Sequence, residues 1–193
     1  MSDRDKTSTP EPPVAPTARQ FAGNLYLIGY RGTGKSTVAL LLAQQLGLPM
    51  IDMDELLESR SGLSIRMIFA HEGEAGFRKR EGAILEEVAQ MRECIVATGG
   101  GLVLSSTNRS LLRASGRMAW LTAAPATIWQ RLQADATTWD RRPNLSVGGP
   151  EEVEELLHAR EPFYRECADC TVDTTGRSPE EVATLVRAHL NLD

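Results

Sequence analysis

Residues 24–46 restrict what this chain can fold into more than any other stretch. The run Asn24-Leu25-Tyr26-Leu27-Ile28 leads into GYRGTGKST (29–37), and KSTVALLLAQQL (35–46) follows. The first run reads as a short buried strand. The last, rich in Leu, Ala and Gln, reads as a helix. Between them Gly29, Gly34, Lys35 and Ser36 satisfy G-x-x-x-x-G-K-[ST] in full. Glycines let successive backbone N–H groups turn inward at a helix N-terminus, which makes a nest for phosphate. Lys35 would reach the β- and γ-phosphates, and the Ser36 hydroxyl would complete a Mg²⁺ site. The dinucleotide pattern G-x-G-x-x-G is not matched at this turn. The loop therefore binds a nucleoside triphosphate.

With 193 residues the chain is long enough for one ordinary domain with a buried core. Hydrophobic residues at 41% and charged residues at 24% are a soluble-globular composition. A net charge of −5 argues against a nucleic-acid surface, though not against a local basic pocket for a small anion. No apolar run approaches the roughly 20 residues of a membrane span. Residues 1–22 hold four of the ten prolines in the first 16 positions and no aromatic before Phe21. They read as a disordered extension, and Asp3, Asp5 and Glu11 disfavour a transit peptide. Cys94, Cys167 and Cys170 suit a reducing cytoplasm, with Cys167 and Cys170 read as free thiols rather than half a zinc site.

Several kinds of phosphate-loop protein are set aside by pattern. The guanine-reading Asn-Lys-x-Asp is absent, and the strand Cys94–Thr98 runs into Gly99-Gly100-Gly101 rather than ending in Asp. Leu145-Ser146-Val147-Gly148-Gly149, faintly like a transporter-ATPase signature, reads as a loop. Met50-Ile51-Asp52-Met53-Asp54 alternates as a strand end does, so Asp52 and Asp54 are expected on one side, facing the cleft. One carboxylate can hold Mg²⁺ through its waters while the other meets an acceptor hydroxyl. The alternative is that Asp54 caps a helix starting at Glu55. Residues 64–90 read as mostly helical, broken near Gly73 and Gly76, with Arg78 and Glu81 one turn apart. Strands near 24–29, 49–53, 94–98, 117–122 and 170–173 alternate with helices, the pattern of a parallel sheet covered on both faces. Ligands in such sheets gather beyond the carboxyl ends of the strands.

GYRGTGKST, Asp52-x-Asp54, Gly-Leu-Ser-Ile with Phe69, Gly73-Glu74-x-x-Phe77-Arg78-x-x-Glu81, Thr98-Gly99-Gly100-Gly101, Arg142-Pro143 and Arg160-x-Pro162-x-Tyr164 occur in this order. Together they resemble the shikimate kinase family over about residues 23–192. The resemblance implies an α/β, three-layer P-loop fold like the nucleoside-monophosphate kinases. Its five-stranded parallel sheet would carry helices on both faces, a substrate-binding helical segment (about 54–90) and a mobile lid (about 134–149). It implies transfer of the ATP γ-phosphate to the 3-hydroxyl of shikimate on the way to chorismate, by a cytoplasmic monomer that uses Mg²⁺.

By the same resemblance Lys35, Asp54 and Arg142 serve catalysis, with Asp54 aligning the acceptor hydroxyl and taking its proton. Gly32, Thr33, Gly34, Lys35, Ser36, Thr37, Arg131, Arg142 and Arg177 would hold ATP. Asp54, Arg78, Gly99, Gly100, Gly101 and Arg160 would hold shikimate, and Ser36 and Asp52 the metal. Glu81 would orient Arg78, while Ile65, Phe69 and Phe77 would form an apolar wall. Asn144 departs from the family, which more often has two apolar residues after its Arg-Pro. Two rival readings are a kinase of another small polyol such as gluconate, and a catalytically idle relative that binds nucleotide and regulates a partner.

Overall fold

The computed structural model describes residues 23–134 and 149–192. The expectations for residues 1–22 and for most of the lid, including Arg142, lie outside these residues. The elements are β1 (Asn24–Ile28), α1 (Lys35–Leu46), β2 (Met50–Asp52), α2 (Met53–Ser61), α3 (Ile65–Gln90) and β3 (Ile95–Ala97). A 3₁₀ turn (Leu102–Leu104), α4 (Ser106–Ser115), β4 (Gly116–Thr122) and α5 (Pro125–Ala134) follow. The chain closes with α6 (Gly149–Cys167), β5 (Cys170–Asp173) and α7 (Pro179–Leu190).

The five strands form one parallel sheet in the order β2-β3-β1-β4-β5. Alternation along the strands sends side chains to two cores. Tyr26, Ile28, Val96, Met118 and Trp120 face one, with residues of α2, α3, α4 and α6. Leu25, Leu27, Ile95, Ala97, Ala119, Leu121 and Val172 face the other, with α1 and α7. Burial on both faces explains why these strands read as continuous apolar runs. No described helix is long and apolar enough to cross a membrane.

α3 is two helices meeting at Gly73, whose φ of 67° and ψ of −171° break the helical path. The expected second break at Gly76 is absent, since Gly76 lies within the second helix. A Cβ on Gly76 would lie 2.3 Å from the Glu72 Cβ, so its smallness lets the chain close up behind the kink. Cys167 and Cys170 fall on opposite sides of the sheet, the first in one core and the second against the other. That separation is why they are two free thiols.

Burial raises the pKa of all three cysteines, that of Cys170 to about 11. A raised pKa keeps the thiol protonated and unreactive below it. Alkylation by iodoacetamide is therefore expected to be much slower in the native protein than in urea at pH 7.5, and to accelerate as pH rises toward 11. Mass spectrometry of time-quenched samples checks this.

At the start of β1 the buried Asn24 side chain donates to Val88 O (3.0 Å) and Met91 O (3.2 Å) and accepts from the Cys94 N–H (3.1 Å). It ties the end of α3 to the start of β3. Asn24→Ala orphans these groups and is expected to cost about 1–3 kcal/mol. The expected signature is a lower urea midpoint with an unchanged slope.

Candidate active site

The ends of β1, β2 and β3 converge, as open α/β sheets require of a ligand cleft. β1 ends in the phosphate loop. Gly34 caps α1 in the left-handed conformation at φ 89°, which a glycine adopts without strain. Thr33 is buried, and its Oγ1 donates to Tyr30 O at 2.7 Å. Lys35 is also buried, with its Nζ donating to the same carbonyl at 2.8 Å. The lysine is thus tethered across the loop that it closes. Ser36 Oγ donates to Asp52 Oδ2 at 2.6 Å.

Asp52 ends β2 and is itself the cap of α2, its Oδ1 accepting from Asp54 N (3.0 Å) and Glu55 N (3.3 Å). This corrects two expectations. The strand stops at Asp52, so Asp54 stands in the first turn of a helix rather than two residues along a strand. The capping residue is Asp52, not Asp54, because its carboxylate reaches the free N–H groups of that turn. The Ser36 hydroxyl and Asp52 carboxylate form a hard oxygen pair that could hold Mg²⁺, which keeps most of its own waters and needs few protein ligands. Among the described residues no cluster of three or more His, Cys, Asp or Glu offers a fuller metal cage.

The acceptor side is built around the glycine run after β3. A Cβ on Gly101 would lie 2.4 Å from both terminal nitrogens of Arg78. One on Gly99 would lie 2.2 Å from Glu81 Oε1 and 3.5 Å from Asp54 Oδ1. The absence of side chains there lets Arg78, Glu81 and Asp54 close around the loop. Arg78 Nη1 pairs with Glu81 Oε2 at 2.7 Å, and Glu81 is only 2% exposed, so this is not a surface helix pair. Glu74 Oε1 joins at 3.2 Å. Burial opposes the charge on Arg78, but the two carboxylates outweigh it and raise its pKa. Phe69 stacks on Phe77 at 4.7 Å, and Ile65 and Phe77 are fully buried, so the expected apolar wall is also core.

Arg160, half-buried on α6, is arranged differently. Its Nη1 donates to Gly100 O at 3.4 Å, its guanidinium lies 5.3 Å from the Tyr30 ring centroid, and it forms no ion pair with any described residue. One turn on, Tyr164 donates its hydroxyl to the same Gly100 carbonyl. Burial pushes the Tyr164 phenol far above its usual pKa, which keeps it a donor. Neither Tyr30 nor Tyr164 was singled out in the sequence. Tyr164 belongs to the Arg160-x-Pro162-x-Tyr164 motif, which by itself gives it no role, and Tyr30 occupies a variable position of the loop pattern.

Arg131 and Arg177 both contact the segment around Asp173 and Thr174 at the end of β5. Arg131 on α5 donates to Gly32 O (3.2 Å), Thr174 Oγ1 (2.9 Å) and Thr174 O (2.9 Å), joining the phosphate loop to the segment after β5. Arg177 donates to Asp173 O at 2.6 Å and is exposed. The structure thus brings the phosphate-loop residues, Asp52, Asp54, Arg78, the glycine run and Arg160 together, with Arg131 against the loop's outer side.

Comparison with known proteins agrees with this geometry. A family model described as shikimate kinase matches residues 31–191. The shikimate kinase of Rhodopirellula baltica is 48% identical over 164 residues, covering 84% of this chain and 88% of that protein. That of Thiobacillus denitrificans is 42% identical over 170 residues, covering 88% and 91%. A solved structure of the Acinetobacter baumannii shikimate kinase in complex with shikimate has a TM-score of 0.82 at 34% identity, covering 89% of this chain and 95% of that one. A gluconokinase from Sinorhizobium meliloti, with a TM-score of 0.58 at 19% identity, shares the fold alone. With the family model spanning most of the chain and the cleft built from its motifs, this protein belongs to the shikimate kinase family.

Proposed function

We propose that the protein transfers the γ-phosphate of ATP to the 3-hydroxyl of shikimate, giving shikimate 3-phosphate and ADP on the route to chorismate. The observation that carries this reading is the contrast between the two arginines beside the glycine run. Arg78 is compensated by Glu81 and Glu74, whereas Arg160 keeps its charge uncompensated by any described residue. A half-buried guanidinium without a carboxylate partner suits a ligand that brings one. Its planar fork meets a carboxylate bidentately. Arg78 and the backbone of Gly99–Gly101 would fix the rest of the ring.

Asp54 borders Gly99 from the first turn of α2, where it would face the acceptor. It would align the 3-hydroxyl and accept its proton as the oxygen attacks the γ-phosphorus and the bond to the bridging β–γ oxygen breaks. Lys35 would leave the Tyr30 carbonyl to neutralise charge on the transferring group. Mg²⁺, held by Ser36 and Asp52, would screen the phosphate oxygens when bound. Arg142 would supply a second cation over the phosphates, and Arg131 and Arg177 would border the base. Positioning and charge stabilisation carry most of the rate in such transfers.

The test is product identity together with one variant. Phosphorus NMR of the reaction mixture is expected to show a phosphomonoester coupled to the proton on C3 of shikimate. Arg160→Ala is expected to raise the KM for shikimate at least ~10-fold, the size of a lost charged hydrogen bond, with the KM for ATP little changed. A product phosphorylated elsewhere, or an unchanged shikimate KM, contradicts the assignment.

A further inference from the structure

Tyr30 holds a place in both halves of the cleft. Its carbonyl accepts from Lys35 Nζ at 2.8 Å and from Thr33 Oγ1 at 2.7 Å, so its backbone belongs to the phosphate loop. Its side chain turns the other way. The ring is 2% exposed and packed with Ala123, Ile128, Leu132 and Val153. The guanidinium carbons of Arg160 and Arg31 lie 5.3 Å and 5.6 Å from its centroid.

An arginine that must receive a carboxylate poses a physical problem. Left loose, its long side chain samples many rotamers and loses that freedom on binding. Held by a glutamate, as Arg78 is, it is oriented but its charge is already satisfied. An aromatic face orients a guanidinium through its quadrupole without supplying an anion. The hydrogen bond from Arg160 to Gly100 O, at 3.4 Å, is too long to do this alone. Val153 and Arg160 share α6, so the helix that carries the arginine also clamps the ring beneath it.

Resting on the shikimate reading above, we infer that Tyr30 is a positioning residue for the acceptor carboxylate. Its ring face holds the Arg160 guanidinium in its receiving orientation, and its backbone anchors that ring in the phosphate loop. The ring face carries the role, so phenylalanine serves in its place and an aliphatic residue does not.

The experiment is a double-mutant cycle on the full chain, with KM for shikimate, KM for ATP and kcat measured for Tyr30→Leu, Tyr30→Phe, Arg160→Ala and the Tyr30→Leu/Arg160→Ala pair. Tyr30→Leu is expected to raise the shikimate KM about 5- to 10-fold, the scale of a lost cation–π contact. The KM for ATP and kcat should stay within about two-fold, and Tyr30→Phe should behave as wild type. In the Arg160→Ala background Tyr30→Leu should add less than about two-fold. An effect that persists undiminished in that background, or a Phe variant as poor as the Leu variant, overturns the inference. If Tyr30→Leu does not fold, Tyr30→Met takes its place with the same expected values. An unchanged shikimate KM in Arg160→Ala alone would instead remove the carboxylate reading on which this one rests.

Discussion

Asp54→Asn is expected to lower kcat with shikimate by about 10²- to 10⁴-fold, the range for removing a general base, while the KM for ATP moves little. Asparagine keeps the size of the side chain and one accepting oxygen, so it can still meet the hydroxyl. It cannot take the proton. The position makes this a clean test, because the cap of α2 is Asp52 and its bonds to Asp54 N and Glu55 N survive the change. The change also removes a first-turn negative charge, worth a few tenths of a kcal/mol. Asp52→Asn would be a poorer test, since it disturbs the cap and the bond from Ser36 together. Steady-state kinetics beside a thermal melt separates the two contributions. A kcat within ten-fold of wild type would leave Asp54 a role in alignment alone.

Arg78→Ala is expected to damage stability as well as acceptor binding. Glu81 is 2% exposed and pairs with Arg78 at 2.7 Å. Removing the arginine takes its charge partner from a buried carboxylate, a loss of about 3–5 kcal/mol for a broken buried pair. For a domain of this size that lowers the melting temperature on the order of 10 °C. Arg160→Ala, with no described carboxylate left behind, should melt near wild type. Both should raise the shikimate KM, so the pair of melts distinguishes a structural arginine from one held open for a ligand. Equal melting temperatures for the two variants would contradict the contrast drawn between them.

Much of this architecture is legible in the sequence because burial on both faces leaves a plain mark. Leu25–Ile28, Ile95–Ala97 and Met118–Leu121 are unbroken apolar runs, and each strand lies within a residue or two of its expected place. The phosphate loop is legible because its chemistry constrains residues that are contiguous. The β2–α2 junction is not. A carboxylate that caps a helix shortens the strand before it, and alternation alone gives no sign of that at Asp52. Gly73 and Gly76 look alike in sequence, yet only the first takes a positive φ, because only there does the chain turn between two helices. The places of Tyr30, Tyr164 and Arg131 are tertiary. Their partners, Arg160, Gly100 and Thr174, are 130, 64 and 43 residues away along the chain. No local pattern carries such contacts.

The most direct test of the central claim is ADP release by the purified protein with ATP and Mg²⁺, with shikimate, with gluconate, or with no acceptor. Turnover is expected to depend on shikimate, with little ADP formed in the other two. Turnover on gluconate but not shikimate, or nucleotide binding without turnover on either, would contradict it.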